Sequence, residues 1–326
     1  PDEIVETLPD CRLLLIDEAA AIPAPLLKTM LENYSRVVFS TTIHGYEGNG
    51  QGFAVRFRKE LDTQTPQWKK QCLKQAIRWS DNDPLEKWIF DFLLLDAQLS
   101  EYHEEPGLTP EQTHITWHSQ EELANNDKLL KQLTAMLVHA HYQTSPSDIR
   151  LILDHPRVRI ASIQSKRTIL GVLLMLEEGD INDPELARHI AQGRRRPKGH
   201  LVPQSLVAST GSIELLSHKT FRIMRIAVHP KVASQGFGSA LVQAAENYAR
   251  SNGADSLSTS FGVTPELLNF WSKNSFDLLR LGSHKDGASG TQSVIMMRVI
   301  SKQTEVLYRE FTKTFSRDFL LGISRQ

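Results

Sequence analysis

Residues 221–250 read FRIMRIAVHPKVASQGFGSALVQAAENYAR. Phe221 to Val228 forms an apolar strand that runs into His229-Pro230 and a short polar turn. Gly236-Phe237-Gly238 then opens a helix whose apolar positions Ala240, Leu241, Ala244, Ala245 and Tyr248 fall on one face. Two glycines let a backbone approach a ligand closely. The N–H groups of a first helical turn have no partner inside the helix. With the helix dipole they make an anion site suited to a pyrophosphate.

Two ligand classes fit a strand, a glycine turn and a helix in this order. A dinucleotide site wants G-x-G-x-x-G/A after a strand and an acid about 20 positions on. Here Leu241 stands at the third glycine's place, and Asp255, roughly placed as the acid, belongs to the run after the helix. The other class is acetyl-coenzyme A. The stretch resembles the acetyl-CoA motif of GNAT acetyltransferases, R/Q-x-x-G-x-G/A after a strand ending in an apolar-x-V-x-P phrase. Ile226-Ala227-Val228-His229-Pro230 supplies the phrase, Ala233 holds the Arg/Gln place, and a Gln sits at 235. An ordinary strand–helix turn is the plain alternative.

A chain of 326 residues has room for two domains. Its net charge of −1 excludes a strongly basic footprint, so a nucleic-acid partner needs a local patch. Cys11 and Cys72 make neither a disulfide framework nor a metal spacing, which fits a reducing, cytoplasmic location. Apolar runs such as Ile169–Leu176 are too short to span a bilayer, and no signal peptide opens the chain, so no membrane partner is expected. The start at Pro1-Asp2-Glu3 suggests a piece of a longer protein.

Leu13 to Ile16 followed by Asp17-Glu18 has the pattern of a buried parallel strand ending in two acids. In P-loop NTPases such an Asp holds Mg²⁺ and the Glu orients the attacking water. A helix over 23–31 turns Leu26, Leu27, Met30 and Leu31 inward, and a second buried strand, Arg36–Ser40, ends in Thr41-Thr42 before a glycine-rich loop, His44–Gly52. No G-x-x-x-x-G-K-[ST] occurs, so the phosphate-cradling loop is expected upstream of Pro1. Pro84 to Leu99 reads as a helix with Asp83 as its cap and Leu85, Trp88, Ile89, Phe92 and Leu93 as its apolar face. The polar stretch 100–112 reads as a linker.

After it come a strand at Thr113–His118, helices at Glu121–Asn125 and Asp127–Tyr142, and strands at Arg157–Ser165 and Ile169–Glu177. An insertion over about 180–219 carries Arg194, Arg195, Arg196 and Lys198, which can bind phosphates or form a solvated loop. Leu307, Phe311, Phe315 and Phe319 mark one face of a C-terminal helix.

DEAAAIP (17–23), STTIHGYEGNGQGF (40–53) and AIRWSDNDPLEKW (76–88), followed by the GNAT motif, resemble the tRNA(Met) cytidine acetyltransferase family of bacterial type. The resemblance implies an α/β fold: the distal part of a helicase-like P-loop sheet over 1–106, a GNAT acyl-CoA N-acyltransferase domain over 107–302, and a C-terminal helix over 303–326 leading to an RNA-binding region. It implies ATP-dependent N4-acetylation of the wobble cytidine of elongator tRNA(Met), with acetyl-CoA, and ATP with Mg²⁺, as cofactors. Asp17 would hold the metal, Glu18 the water, and Arg78 the nucleotide phosphates. Ile226, Ala227 and Val228 would lie beside the acetyl group and pantetheine. Ala233, Ser234, Gln235, Gly236, Phe237, Gly238 and Ser239 would hold the pyrophosphate, with Glu266 and Lys273 also contacting CoA. The strand Ser256–Phe261 should splay from the motif strand. His218 and His229 flank that strand as candidate bases; Arg194, Arg195, Arg196 and Lys198 would meet the RNA. The rival reading is an RNA-remodelling factor whose GNAT half holds CoA without catalysis.

Overall fold

The computed structural model describes residues 2–42, 57–58, 60–73, 75, 77, 79–102, 105–140, 146–166, 168–285 and 291–323. It divides into two compact units. The first takes in Pro1–Glu101 and Gln120–Asp154; the second takes in Tyr102–Ser119, His155–Asp286 and Thr291–Gln326. The division thus falls at Glu101, against an expected boundary at residue 106, and counts Gln120–Asp154 with the first unit.

In the first unit, α1 (Asp2–Thr7), β1 (Leu14–Ile16), α2 (Ala24–Asn33) and β2 (Val37–Phe39) surround a small core of Ile16, Ala19, Ala20, Leu27, Met30 and Phe57. The strands pair in parallel, Leu14 with Val37 through Ile16 with Phe39. As read from the sequence, α2 buries Leu27 and Met30. Burial of both strands is not found: Leu15 is 68% and Val38 49% exposed, so among the described residues the sheet is covered on the Ile16 face alone. Helix α3 (Pro84–Phe92) is capped by Asp83, whose Oδ1 accepts from the N–H groups of Leu85 at 2.8 Å and Glu86 at 3.2 Å. It ends at Phe92 rather than Leu99, and Leu94 takes a left-handed φ of 50° just beyond. Its apolar side is not buried: Trp88 and Phe92 are exposed, with their rings stacked on each other at 4.9 Å. Three further helices, α4 (Gln120–Ala124), α5 (Asp127–Ala140) and α6 (Pro146–Asp154), belong to this unit.

The second unit is built on a seven-stranded sheet of order β3-β4-β5-β6-β7-β9-β8. Its strands are β3 (His114–His118), β4 (Val158–Ser165), β5 (Thr168–Gly179), β6 (Lys219–Val228), β7 (Ser256–Gly262), β8 (Asp277–Lys285) and β9 (Gln292–Val299). All neighbours are antiparallel except β6 and β7. A parallel pair needs a crossover, and α9 (Phe237–Ser251) provides it.

Helices cover both faces. On one, Phe237, Leu241, Val242, Ala245 and Ala249 of α9 and Trp271 of α10 (Pro265–Lys273) pack with Leu173, Phe221, Ile223 and Leu257. On the other, α7 (Pro184–Ala191), α8 (Leu201–Thr210) and α11 (Lys302–Ile323) join Leu279, Ile295 and Met297 in a second core through residues such as Ile190, Leu206 and Tyr308. Two covered faces explain why β5 reads as a nearly unbroken apolar run.

Glu178 ties the layers together. Its side chain is fully buried; Oε1 accepts from Arg222 Nε at 2.6 Å and Oε2 accepts from the Val202 N–H at 2.9 Å. One carboxylate therefore links β5, β6 and the start of α8. Removing one partner of a buried pair leaves a desolvated charge. Arg222→Met should cost about 3–5 kcal/mol of folding stability in urea unfolding. Arg309→Ala, at an exposed pair with Glu305, should cost less than about 1 kcal/mol; equal losses would mean that Glu178 is not the anchor described.

Candidate active site

The ladder between β6 and β7 is short. It runs from Thr220↔Ser256 to Ile223↔Thr259 and stops, although β6 continues to Val228 and β7 to Gly262. Thr259 Oγ1 closes the last rung by donating to Ile223 O at 3.3 Å. Beyond it each strand stays with its outer neighbour: β6 pairs β5 to Val228↔Gly171, and β7 pairs β9 to Gly262↔Ser293. The register of β5 and β6 slips between Leu174↔Arg225 and Met175↔Ile223, so Met224 is an extra residue at the parting point.

Alternation gives the direction of each backbone group along the opening. His229 donates to Leu170 O, so Ala227 and Arg225 also face β5, while Ile226 and Val228 face the opening. Val263 donates to Gln292 O, so Phe261 faces β9, while Ser260 and Gly262 face the opening from the other wall. Ile226, Val228, Ser260 and Gly262 are only partly buried. The cleft is therefore walled by peptide groups without a strand partner among the described residues. Such groups need hydrogen-bonding company, and a ligand with amides can supply it. The expected splay of the strand after the motif strand is present.

At the β6 end of the cleft the chain makes a 3₁₀ turn, Pro230–Val232, and enters α9. Ser234 and Gly236 both take positive φ, 62° and 92°. Gly236 is the N-cap; no side chain caps the helix and no acid lies in its first turn. Ala233, Ser234, Gln235, Gly236 and Ser239 are exposed, and Phe237 is buried in the core. The result is an accessible, electropositive helix start. Gly238 has a packing duty as well: a Cβ there would lie 3.1 Å from the Phe270 ring of α10.

A family model described as GNAT acetyltransferase 2 matches residues 132–258 and 248–301, more than half of the chain. The chain belongs to the GNAT acetyltransferase 2 family. In front of this GNAT region, residues 1–96 match a family model described as RNA cytidine acetyltransferase NAT10/TcmA, helicase domain. A protein of Nitrosococcus halophilus named tRNA(Met) cytidine acetyltransferase TmcA is 40% identical over 315 residues, 97% of this chain and 42% of its own. One of the same name from Vibrio cholerae is 42% identical over 298 residues, 91% of this chain and 41% of its own. The chain thus spans about two fifths of the length of these curated relatives. Among solved structures, a mutant agmatine N-acetyltransferase in apo form aligns with 58% of this chain and 100% of its own at 14% identity and a TM-score of 0.42. The family resemblance carried by DEAAAIP, STTIHGYEGNGQGF and the glycine turn is borne out by the two family models and the curated relatives.

The remaining residues singled out in this GNAT acetyltransferase fall in several places. Glu266 and Lys273 are both exposed on α10 and lie one above the other, seven positions apart. Thr264 caps that helix by accepting from the Leu267 N–H at 3.3 Å. Arg194, Arg195, Arg196 and Lys198 are exposed in the loop between α7 and α8, with no carboxylate in ion-pairing range among the described residues. His218 precedes β6 at the end away from the glycine turn, six residues or ~20 Å of strand before Met224. His229 is buried, rests on the Tyr102 ring at 5.5 Å and accepts from the Lys231 N–H through Nδ1 at 3.3 Å. It serves as a turn cap, and neither histidine is brought to the parting point.

In the first unit, Asp17 and Glu18 are exposed at the C-terminal end of β1, beside Ser40, which follows β2 and whose N–H donates to Ile16 O at 2.8 Å. Glu18 has a left-handed φ of 48°, and its N–H donates to Asp17 Oδ1 at 3.0 Å. No group of three or more His, Cys, Asp or Glu able to hold a metal ion occurs among the described residues. Arg78 and the glycine-rich loop 44–52 lie outside the described residues. No helix of the described residues is long and apolar enough to cross a membrane.

His229 Nδ1 holds the turn that follows β6. His229→Ala should lower stability by about 1 kcal/mol, and His229→Asn, which keeps an acceptor, should recover most of it. Denaturant titration of the three proteins checks this; a full-size loss in the Asn variant would contradict it.

Proposed function

We propose that the full-length protein is an ATP-dependent tRNA cytidine N4-acetyltransferase, taking acetyl from acetyl-CoA to the wobble cytidine of elongator tRNA(Met). The observation that carries the reading is the cleft between β6 and β7, opening beside an uncapped, acid-free helix start. This is a site for an extended chain of amides ending in a pyrophosphate, and coenzyme A has that chemistry. The region matching the helicase domain of RNA cytidine acetyltransferases points to RNA as the acceptor.

In this reading the pyrophosphate rests on the N–H groups of residues 236–239. The pantetheine amides exchange hydrogen bonds with Ile226 and Val228 on one wall, and with Ser260 and Gly262 on the other. The thioester then reaches the parting point near Met224. There a backbone N–H polarises its carbonyl and holds the charge that develops on oxygen. The N4 nitrogen of cytidine bonds to the acetyl carbon, the carbon–sulfur bond breaks, and the thiolate leaves with a proton from the amine. That amine is conjugated and weakly basic, so it attacks already neutral, and alignment rather than deprotonation is the main demand on the protein. Arg194, Arg195, Arg196 and Lys198 present four cations, with no carboxylate partner among the described residues, for RNA phosphates, which position the RNA without specifying sequence. In the first unit Asp17 would hold Mg²⁺ and Glu18 the attacking water, with Arg78 on the nucleotide phosphates; ATP hydrolysis would drive rearrangement of the RNA.

Purified full-length protein, given unmodified tRNA(Met), acetyl-CoA and ATP, should convert one cytidine to N4-acetylcytidine by nucleoside mass spectrometry. Ser239→Glu separates site from fold. An acid in the first turn of α9 suits the helix dipole, so the thermal midpoint should not fall. The same charge opposes the pyrophosphate and should raise the KM for acetyl-CoA about tenfold or more. Absence of acetylcytidine with wild-type protein overturns the reading; an unchanged KM in the Glu variant moves the pyrophosphate elsewhere.

A further inference from the structure

The second unit carries a groove that neither the cleft nor the cationic loop uses. It has a volume of about 600 Å³ and lies among the end of α9, the end of β9, the start of β8 and the first three turns of α11. Five cations line it, Arg250, Arg298, Lys302, Arg309 and Lys313, against three carboxylates, Glu246, Asp277 and Glu305.

The three carboxylates, Asp277 included, leave two of the five positive charges uncancelled. Glu246 is buried and already shared by two guanidinium groups, Arg250 Nη2 at 2.7 Å and Arg298 Nη2 at 2.6 Å. That cluster keeps one net positive charge. Glu305 is spent on Arg309 at 2.6 Å. Lys302 and Lys313 are exposed and have no carboxylate partner among the described residues. Tyr308, at the floor, stays neutral because burial holds its phenol far above its ordinary range. Lys302, Arg309 and Lys313 are seven and four positions apart, so they form one stripe on α11, spaced ~10 and ~6 Å along its axis.

The groove and the cleft lie toward opposite ends of the same strands. Gly262↔Ser293 borders the mouth of the cleft, and Ser256↔Val299 lies at the groove end, six residues or ~20 Å away. A ligand that engages both must reach across that distance, and the cations of the groove suit one that carries anions.

We infer that this groove binds the phosphate backbone of the RNA substrate, at a distance from the reacting cytidine. The inference rests on the acetyltransferase reading above and adds to it a second contact surface, with α11 as the backbone-tracking element. Such contacts set affinity and salt dependence, not sequence.

The test is a titration of unmodified tRNA with full-length protein at several salt concentrations, wild type against the triple variant Lys302→Ala, Arg309→Ala, Lys313→Ala. Arg250 and Arg298 are left in place because they neutralise buried Glu246. Each lost phosphate contact removes somewhat under one unit from the log–log salt slope, so the slope should fall by about two to three units, with affinity weakened roughly tenfold or more. The KM for tRNA should rise while the affinity for acetyl-CoA, measured separately, is unchanged. A charge-preserving variant, Lys302→Arg with Lys313→Arg, should bind as wild type does. If the triple variant keeps wild-type slope and affinity, the groove is not an RNA surface, although the acetyltransferase reading stands. If wild-type protein itself neither binds nor acetylates tRNA, both fall. If the triple variant also loses acetyl-CoA binding, the same titration with Lys302→Gln and Lys313→Gln alone decides: an unchanged salt slope there rejects the groove.

Discussion

The architecture of the second unit turns on β6, which has one neighbour it keeps and one it abandons. Up to Ile223 it is paired on both sides; from Met224 onward it holds only β5. The slip at Met224 makes this possible, because an extra residue lets the strand bend without losing its outer ladder. The parallel pairing requires α9 as crossover, and α9 in turn must start at the end of β6, next to the opening. The glycine turn, the helix start and the unpaired walls are thus one construction rather than separate motifs. Gly171 belongs to it too: a Cβ there would sit 2.8 Å from Ala227 O and 3.1 Å from Leu241, so its absence lets α9 lie close on the paired side.

Much of this was legible from residue types. The strand, the turn and the helix around Gly236 occur where their periodicity and glycines place them, and Asp83 caps its helix as its position before a proline predicts. The buried stripe of α9 is rotated from the expected one: Phe237, Val242 and Ala249 go inside, while Ala240, Ala244 and Tyr248 are only half-buried. Apolar spacing finds a helix well and its exact facing less well, because small alanines serve on either side. Glu246 was invisible as a buried residue, since only the fold brings Arg298 to it. The slip at Met224 left no trace either, because a bulge is a property of two strands and neither sequence marks it.

Other features could not be read locally. Leu13–Ile16 and Arg36–Ser40 look like fully buried strands, yet Leu15 and Val38 face outward, because burial depends on what covers the second face. Helices α7 and α8 fall within the stretch that the sequence marks only as an insertion, although Asp183 and Pro184 carry a cap signal like that of Asp83 and Pro84. The histidines are a related case. Adjacency to the motif strand makes both candidates for proton transfer, but that strand is ten residues long and they stand at its two ends.

Among the described residues, the backbone groups of β6 that face away from β5 beyond Ile223 stand open to a ligand with amides. Site-resolved amide hydrogen exchange, with and without acetyl-CoA, tests it most directly. Arg225 and Ala227 face β5 and should be protected in both states. Ile226 and Val228 should exchange quickly in the free protein and become protected when acetyl-CoA is added. Protection of Ile226 and Val228 without ligand, or no response of either to acetyl-CoA, would contradict the account.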